Sequence, residues 1–296
     1  MSTLEGRSYE LVVAPLSEDQ ELNNLQTGLD LSALDVEFRV KKTLKPKPNT
    51  AHIKVWGLSR ISRQYLQTTK KLTVRLAAGY AGENELLFLG ETRSSYTQWG
   101  EKGDITTVIE TGDSEKDMTA AGLSLTFGAQ TTISQALKAV AASLPNQAPM
   151  SAVDKFMQPS EVEKLVDAFF GKHVFHPAGG AIDRQTTRYL SDLCRSAGLE
   201  WSIQNGTIII LEKDKPLAGK EIVIGPDSGM IGSPSVDRHG LLDVKSLIVP
   251  GLHPGAKIYV DAQGVKGNYR VESAEYLGNS SPSAKDWYVK MACSQL

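Results

Sequence analysis

The sequence predicts an α+β fold that is predominantly β, in which two strand-rich parts flank a middle α+β part. Short segments of the first third, and again of the last third, alternate apolar and polar residues with the period of half-buried strands. Between them, apolar residues recur at helical spacing and a strong hairpin signal follows. The length of 296 residues suits about two domains.

The N-terminal part is predicted from short strand-like segments separated by turn residues. The predicted strands are Leu34–Val40, Ala51–Trp56, Leu72–Leu76, Leu86–Leu89 and Ile105–Glu110. A short helical turn is expected between Ser59 and Lys70, and the polar stretch Ser94–Asp104 is expected to separate the last two strands. Strands at this spacing favour a small barrel or a sandwich.

The middle part changes to helical periodicity. Helices are expected to begin near Thr132, at the capping box of Ser160 and near Gln185, and Gly198 suits the position after the last of them. A hairpin follows, in which Asn205-Gly206 forms a type I′ turn between two apolar strands. This part is therefore expected to be α+β.

The C-terminal part returns to strands separated by Gly, Pro, Ser and Asn. The predicted strands are Glu221–Ile224, Leu241–Val249, Lys257–Val260, Gly267–Tyr276 and Trp287–Cys293. No period of about 20–50 residues repeats along the chain, which argues against solenoids and propellers.

Composition excludes several classes of protein. Lys and Arg number 32 against 34 Asp and Glu, so the net charge of −2 offers no bulk attraction for nucleic acid or anionic membrane. Apolar runs such as Ile208–Leu211 are far shorter than the roughly 20 residues of a membrane helix. The first residues lack the pattern of a signal peptide, and two distant cysteines exclude a disulfide framework. We therefore expect a soluble protein made in a reducing cytoplasm.

No catalytic, cofactor-binding or metal-binding constellation is predicted. His173 and His176 form a close pair, but no further ligand motif accompanies them. Cys194 is expected on the apolar face of a helix and Cys293 in the last strand, and neither has the context of a nucleophile.

The acidic and glycine-rich segments also have simpler explanations than chemistry. Glu161, Glu163 and Asp167 are expected to form the solvated face of a short helix, although a pair of acids is what a muramidase needs. Gly179-Gly180 and Gly225–Gly229 lack the frame of a phosphate loop and are expected to be turns.

Several short segments follow one another in an order known from one family. They are Leu34–Val40, Pro48–Ser59, Leu72–Tyr80, Leu87–Gly90, Leu190–Leu211 and Tyr269–Tyr276. With them the chain resembles the tail or baseplate hub proteins of tailed bacteriophages, of the Mu-like and late-control D-like types, which are related to the hub part of secretion-system spikes. Gly57-Leu58-Ser59 stands where Asn-Leu-Ser is common in the family, and the insert Ser151–Gly180 does not match the family pattern.

The resemblance implies two tube-like β-barrel domains flanking the middle α+β region. The implied domains are residues 1–120, an N-terminal barrel; 121–216, the α+β domain; and 217–296, a C-terminal barrel. Three subunits would then form a homotrimer with a pseudo-sixfold ring, which adapts a sixfold tail tube to a threefold spike.

The resemblance also implies a function, partners and a location. The chain would be a structural protein of the virion tail, assembled in the host cytoplasm, which forms part of the genome-ejection channel. Its partners would be the tail tube protein, the spike or tail-tip protein and the tape-measure protein, with DNA passing transiently and without specific binding. The alternatives are the hub of a genome-free contractile particle, a peptidoglycan hydrolase on a β-rich scaffold, and a carbohydrate-binding module.

Within this hub interpretation, a basic loop is the candidate interface. Residues 41–47 hold four lysines and no acid, and prolines restrict the conformation of the loop, which lowers the cost of ordering on docking. The alternative is a solvated loop that protects a strand edge. Aromatic residues at a barrel rim serve as core or as interface. The candidate interface residues are Lys41, Lys42, Lys45, Lys47, Trp56 and Tyr80.

Overall fold

The computed structural model describes residues 6–15, 28–70, 72–80, 83–100, 103–113, 122–127, 131–132, 174–176, 180–196, 198–217 and 219–296. The chain divides into two units. The first comprises Met1–Thr43, Asn49–Asp113 and Asp214–Leu296, and the second comprises Leu44–Pro48 and Ser114–Lys213. In sequence, the larger segment of the second unit, Ser114–Lys213, is therefore inserted before the C-terminal segment of the first, and Leu44–Pro48 interrupts its N-terminal part.

The first unit consists of strands and a single described α-helix. Its N-terminal segment contains β1 (Arg7–Pro15), β2 (Leu29–Asp30), β3 (Val36–Thr43), β4 (Thr50–Trp56), α1 (Arg60–Thr68), β5 (Leu72–Tyr80), β6 (Glu83–Trp99) and β7 (Ile105–Gly112). Its C-terminal segment contains β14 (Ile222–Ile224), a 3-10 turn (Pro226–Ser228), β15 (Ser235–Val236), β16 (Leu242–Leu247), β17 (Lys257–Ala262), β18 (Val265–Asn279) and β19 (Trp287–Gln295).

The described elements of the second unit are short. They are β8 (Gly122–Phe127), β9 (Thr131–Thr132), β10 (Val174–His176), β11 (Gly180–Gln185), α2 (Thr186–Ser196), β12 (Leu199–Gln204) and β13 (Thr207–Glu212). β8 pairs with β11, β9 with β10 and β12 with β13, all antiparallel. α2 packs on β12, and the Trp201 indole N–H donates to the Ser191 hydroxyl at 3.0 Å.

Within the described residues, thirteen strands of the first unit form one sheet. Its order is β15-β16-β19-β18-β3-β4-β7-β6-β5-β1-β2. Outside this order, β17 pairs with β18, and β14 pairs with β17. The first half of β18 pairs with β17 and its second half pairs with β3, while β19 pairs along both halves. A bulge at Glu272 separates the two halves of β18, and Arg270 and Ser294 both donate hydrogen bonds to the Glu272 carboxylate.

The core of the first unit follows from strand alternation. In β3, Val36, Phe38 and Val40 are buried, while the alternating residues Arg39 and Lys41 are exposed. The rings of Phe38 and Trp287 meet edge to face with centroids 5.5 Å apart, which joins β3 to β19 across β18. The two sequence-distant segments thus share one core.

Many local predictions are confirmed. α1 begins after Ser59, whose hydroxyl accepts the Ser62 N–H at 3.0 Å, as an N-cap does. The hairpin has the predicted register, with Asn205 and Gly206 at φ 52° and 80°. Gly198 ends α2 at φ 68°, and the five predicted C-terminal strands are all present. The predominantly β, α+β class is confirmed.

Other local predictions are wrong or concern residues outside the described ranges. β1 was not predicted, and the polar stretch from Ser94 to Trp99 continues β6 instead of separating two strands, because its residues pair with β7. The predicted helices near 132–144 and 160–170 lie outside the described residues, as does most of the insert 151–180. The division into domains 1–120, 121–216 and 217–296, with two barrels, stays a prediction.

Candidate interaction surface

The polar face of the large sheet carries a shallow charged groove of about 550 Å³. Its ionisable lining residues are Glu37, Arg39, Lys41, His52, Lys54, Arg93 and Glu110. Those of β3, β4 and β7 alternate with the buried residues of the same strands, and Arg93 lies at a bulge of β6. Strand periodicity alone therefore gathers these side chains on one side of the sheet.

Cross-strand ion pairs order the centre of this face. Arg39 Nε lies 2.5 Å from Glu275 Oε1, Lys41 Nζ lies 3.6 Å from the same oxygen, and Lys54 pairs with Glu37 at 2.9 Å. Partial burial works to raise the pKa of Glu275, but the hydrogen bond and charge of Arg39, with Lys41 and Lys290, hold it below its usual value. Glu275 is therefore a carboxylate at neutral pH.

The charged face continues onto β18, β19 and β16. Lys245 Nζ lies 3.6 Å from the centroid of the Tyr288 ring, and Lys290 Nζ lies 5.8 Å from it. In register, Lys245 is opposite Lys290, and Lys290 is opposite Glu275. Sequence reasoning missed Lys245, Tyr288 and Lys290, although each lies at an outward position of a predicted strand.

The structure divides the predicted basic loop. Lys41 and Lys42 belong to β3, so the loop is shorter than predicted, and Lys45 and Lys47 are exposed in the bend that follows. Lys41 is exposed, but Lys42 is only 3% exposed because it points to the core side of β3. The expected exposure of Lys42 is therefore wrong, while an interface role for the other three lysines stays a prediction.

The two aromatic candidates differ in burial. Trp56 is half-buried at the end of β4, and its backbone N–H bonds to the Asp35 carbonyl at 2.9 Å. Tyr80 is buried and its hydroxyl lies 3.4 Å from the Trp287 carbonyl oxygen. Burial raises the pKa of the Tyr80 hydroxyl. Tyr80 is thus placed as a core residue, whereas Trp99, at 72% exposed, is the most accessible described tryptophan.

The cysteines lie in apolar surroundings. Cys194 and Cys293 are both buried, and burial raises the pKa of each thiol to about 12. Both are protonated at neutral pH, so neither has the thiolate that nucleophilic catalysis requires.

Across the described ranges, no cluster of three or more His, Cys, Asp and Glu could hold a metal ion. No helix among those residues is long and apolar enough to cross a membrane.

Comparison with known proteins identifies the fold. No family model and no curated protein matches the sequence. A tail protein from Neisseria meningitidis matches with a TM-score of 0.60 at 10% identity, covering 97% of this chain and 96% of that one. The 43 kDa tail protein of prophage MuSo2 from Shewanella oneidensis matches at 0.58 and 11% identity, covering 97% and 98%.

A secretion-system protein shares the same architecture. An E. coli component of the type VI secretion system, described as structurally similar to two phage T4 tail proteins, matches at 0.54 and 9% identity, covering 89% of this chain and 74% of that one. The chain therefore has the hub-like fold of phage tail and baseplate proteins, which confirms the resemblance seen in its sequence.

Proposed function

We propose that this chain is a non-enzymatic structural subunit of a phage tail, the trimeric hub that joins the sixfold tail tube to the threefold spike or tail tip. The observation that carries the proposal is the extent of the structural match. The chain and the Neisseria meningitidis tail protein correspond over 97% and 96% of their lengths, so the likeness to a tail protein extends over nearly all of both chains.

The proposed role follows from the mismatch in symmetry between a sixfold tube and a threefold spike. A closed assembly requires each interface to be matched by its partner, so a sixfold ring cannot bind a threefold spike without an adaptor. Three subunits with two strand-rich segments each would present six comparable surfaces to the tube and three to the spike. The first unit has such segments, before residue 114 and after residue 213.

The proposed partners and location follow from this role. The tail tube protein, the spike or tail-tip protein and the tape-measure protein would contact the hub in the virion tail. The trimer would surround part of the genome-ejection channel. DNA must slide through such a channel, so its lining should release few counterions and bind without specificity.

The oligomeric mass tests the proposal. We expect light scattering of the purified chain to give a species of about three times 32.1 kDa, or a complex that contains three copies of this chain once the spike protein is added. The spike protein measured alone serves as the control. A monomer over a wide concentration range, with no trimer after the spike protein is added, contradicts a trimeric hub.

A genome-free contractile particle is the second candidate. The match to a type VI secretion system component favours it, because that machine shares the fold. The genes beside this one distinguish the two, since capsid and terminase genes indicate a phage and their absence from an otherwise complete tail cluster indicates an injection particle.

A further inference from the structure

The outward residues of four adjacent strands form two parallel rows. In the first row, Lys245, Lys290, Glu275 and Lys41 are direct cross-strand partners on β16, β19, β18 and β3. In the second row, Leu247, Tyr288, Leu277 and Arg39 are partners on the same strands. We call these eight residues the basic face. Directly opposed side chains in a sheet contact one another, so the two rows form one continuous surface.

The basic face carries an excess of positive charge. Glu275 is its only acid, and this carboxylate is already paired with Arg39 and Lys41. Lys245 and Lys290 are opposite each other, an arrangement of like charges that costs stability in a sheet. The side chains of Lys41 and Arg39 remain 57% and 54% exposed. The surface thus retains positive charge that its own residues do not neutralise.

An apolar strip lies beside the charges. Tyr288 and Leu277 are half-buried and adjacent in register, and the charged row borders them on one side; Leu247, the next residue of the row, also packs against the core. Apolar and aromatic side chains surrounded by a polar rim are the usual anatomy of a protein–protein interface. Tyrosine is also among the residues that contribute most to binding at such centres.

We propose that the basic face is a docking surface for an acidic protein surface that presents an apolar side chain at its centre. Such a partner would pair its carboxylates with Lys245, Lys290 and Lys41, relieve the repulsion between the two opposed lysines and cover Tyr288 and Leu277. This deepens the proposed function, on which it rests, by assigning the chemistry of one tail partner. It also extends the predicted interface at Lys41 across the sheet.

A nucleic acid fits this surface less well than a protein does. The Glu275 carboxylate in the middle of the cations repels phosphate, and a sugar–phosphate backbone has no counterpart for the apolar strip. Lys245 Nζ lies 3.6 Å from the Tyr288 ring centroid, so a cation occupies one face of the ring and competes with a base for stacking there, while the ring edge stays open to an apolar side chain. The basic face is therefore expected to face away from passing DNA.

Binding of defined probes to the full chain tests the proposal. The probe is a fluorescein-labelled peptide of Glu-Glu-Leu-Glu repeats, and its binding is measured by fluorescence anisotropy at low salt. Two ligands serve for comparison: the same peptide with Ser in place of Leu, and a short DNA duplex of equal charge. The double variant Lys245→Gln/Lys290→Gln should bind the leucine peptide about tenfold more weakly than the wild type. The matched variant Lys70→Gln/Lys220→Gln changes two exposed lysines elsewhere and should bind as the wild type does.

A second variant examines the apolar strip. Tyr288→Ser should weaken binding of the leucine peptide while leaving the weaker binding of the serine peptide unchanged. Three results overturn the proposal: the wild type binds the two peptides equally, both lysine variants lose the same affinity, or no peptide binds. Tighter binding of the duplex that depends on Lys245 and Lys290 also overturns it, in favour of nucleic acid. Light scattering on the same samples distinguishes failure of the docking proposal from failure of the proposed function, because a trimer that binds no peptide contradicts only the docking surface.

Discussion

Lys42 occupies an interior position of β3 with three ionisable groups near it. Its ammonium group interacts with the carboxylates of Asp113 and Glu85, and its charge helps lower the pKa of His253. The Asp113 carboxylate is fully buried and also accepts two hydrogen bonds from Asn49, at 2.6 Å and 2.8 Å. Burial lowers the pKa of Lys42 to about 8, against the opposing effect of the two carboxylates.

This burial predicts an alkaline change in stability. Below pH 8 the folded and unfolded chains both carry the Lys42 proton, and folding meets the full cost of a buried cation. Between about 8 and the ordinary value of 10.5, the folded protein releases the proton first, so the unfolded state binds more protons and stability rises with pH. Relative to Lys42→Met, the wild type should gain on the order of 2 kcal/mol by about pH 10.

Denaturant unfolding at a series of pH values measures this difference. The control is Lys47→Met, which removes an exposed lysine from the bend after β3 and should follow the wild type at every pH. Parallel stability curves for the wild type and Lys42→Met would show that the folded protein keeps Lys42 charged throughout this range.

At the scale of elements, a glycine determines how closely three strands pack. Gly278 of β18 is paired in register with Phe38 of β3 on one side and with Trp287 of β19 on the other. The Phe38 ring lies over the glycine, so a Cβ at position 278 would overlap the ring. The edge-to-face contact between Phe38 and Trp287 therefore requires a residue without a side chain between them.

Gly278→Ala should destabilise the protein by about 2–3 kcal/mol, because the new methyl group overpacks a core that has no room for it. Adding Phe38→Leu to this variant should recover part of the loss, which a double-mutant cycle by denaturant unfolding measures. Gly219→Ala is the control, since a Cβ there meets no atom within 4 Å. Additive effects of the two core substitutions would contradict the predicted overlap.

At the scale of the whole molecule, the first unit is assembled from both ends of the chain. Seven residue pairs join β3 to β18, and the ion pair of Arg39 with Glu275 spans 236 positions of sequence. Contacts so distant in sequence form only after a large loss of chain entropy, so the two segments are expected to fold together.

A chain that ends at Lys213 tests this expectation. It lacks β14 to β19, so β3 has an unpaired edge and Phe38 loses the Trp287 ring. We expect β1 to β7 to show no cooperative unfolding transition, measured by circular dichroism against the full chain. A cooperative transition of β1 to β7, beyond any transition of the second unit that the shortened chain retains, would instead support two barrels that fold separately.

Local properties were predictable because they depend on residues close together in sequence. Strand alternation identified the buried and exposed sides of β3 and β4. Asn205-Gly206 identified the turn between β12 and β13, and Ser59 identified the start of α1. The apolar neighbours of Cys194 also indicated its burial. Each of these signals comes from a few adjacent residues whose conformations their own chemistry restricts.

The sequence by itself determined the fold class and the buried and exposed faces of its predicted strands. Only the tertiary structure decided that β3 pairs with β18, that Lys42 is interior while Lys41 is exposed, and that Lys245, Lys290 and Lys41 align across four strands. The physical reason is that alternation specifies a face but not a neighbour. Any strand edge has many compatible partners, and the choice depends on packing and chain closure across the whole molecule.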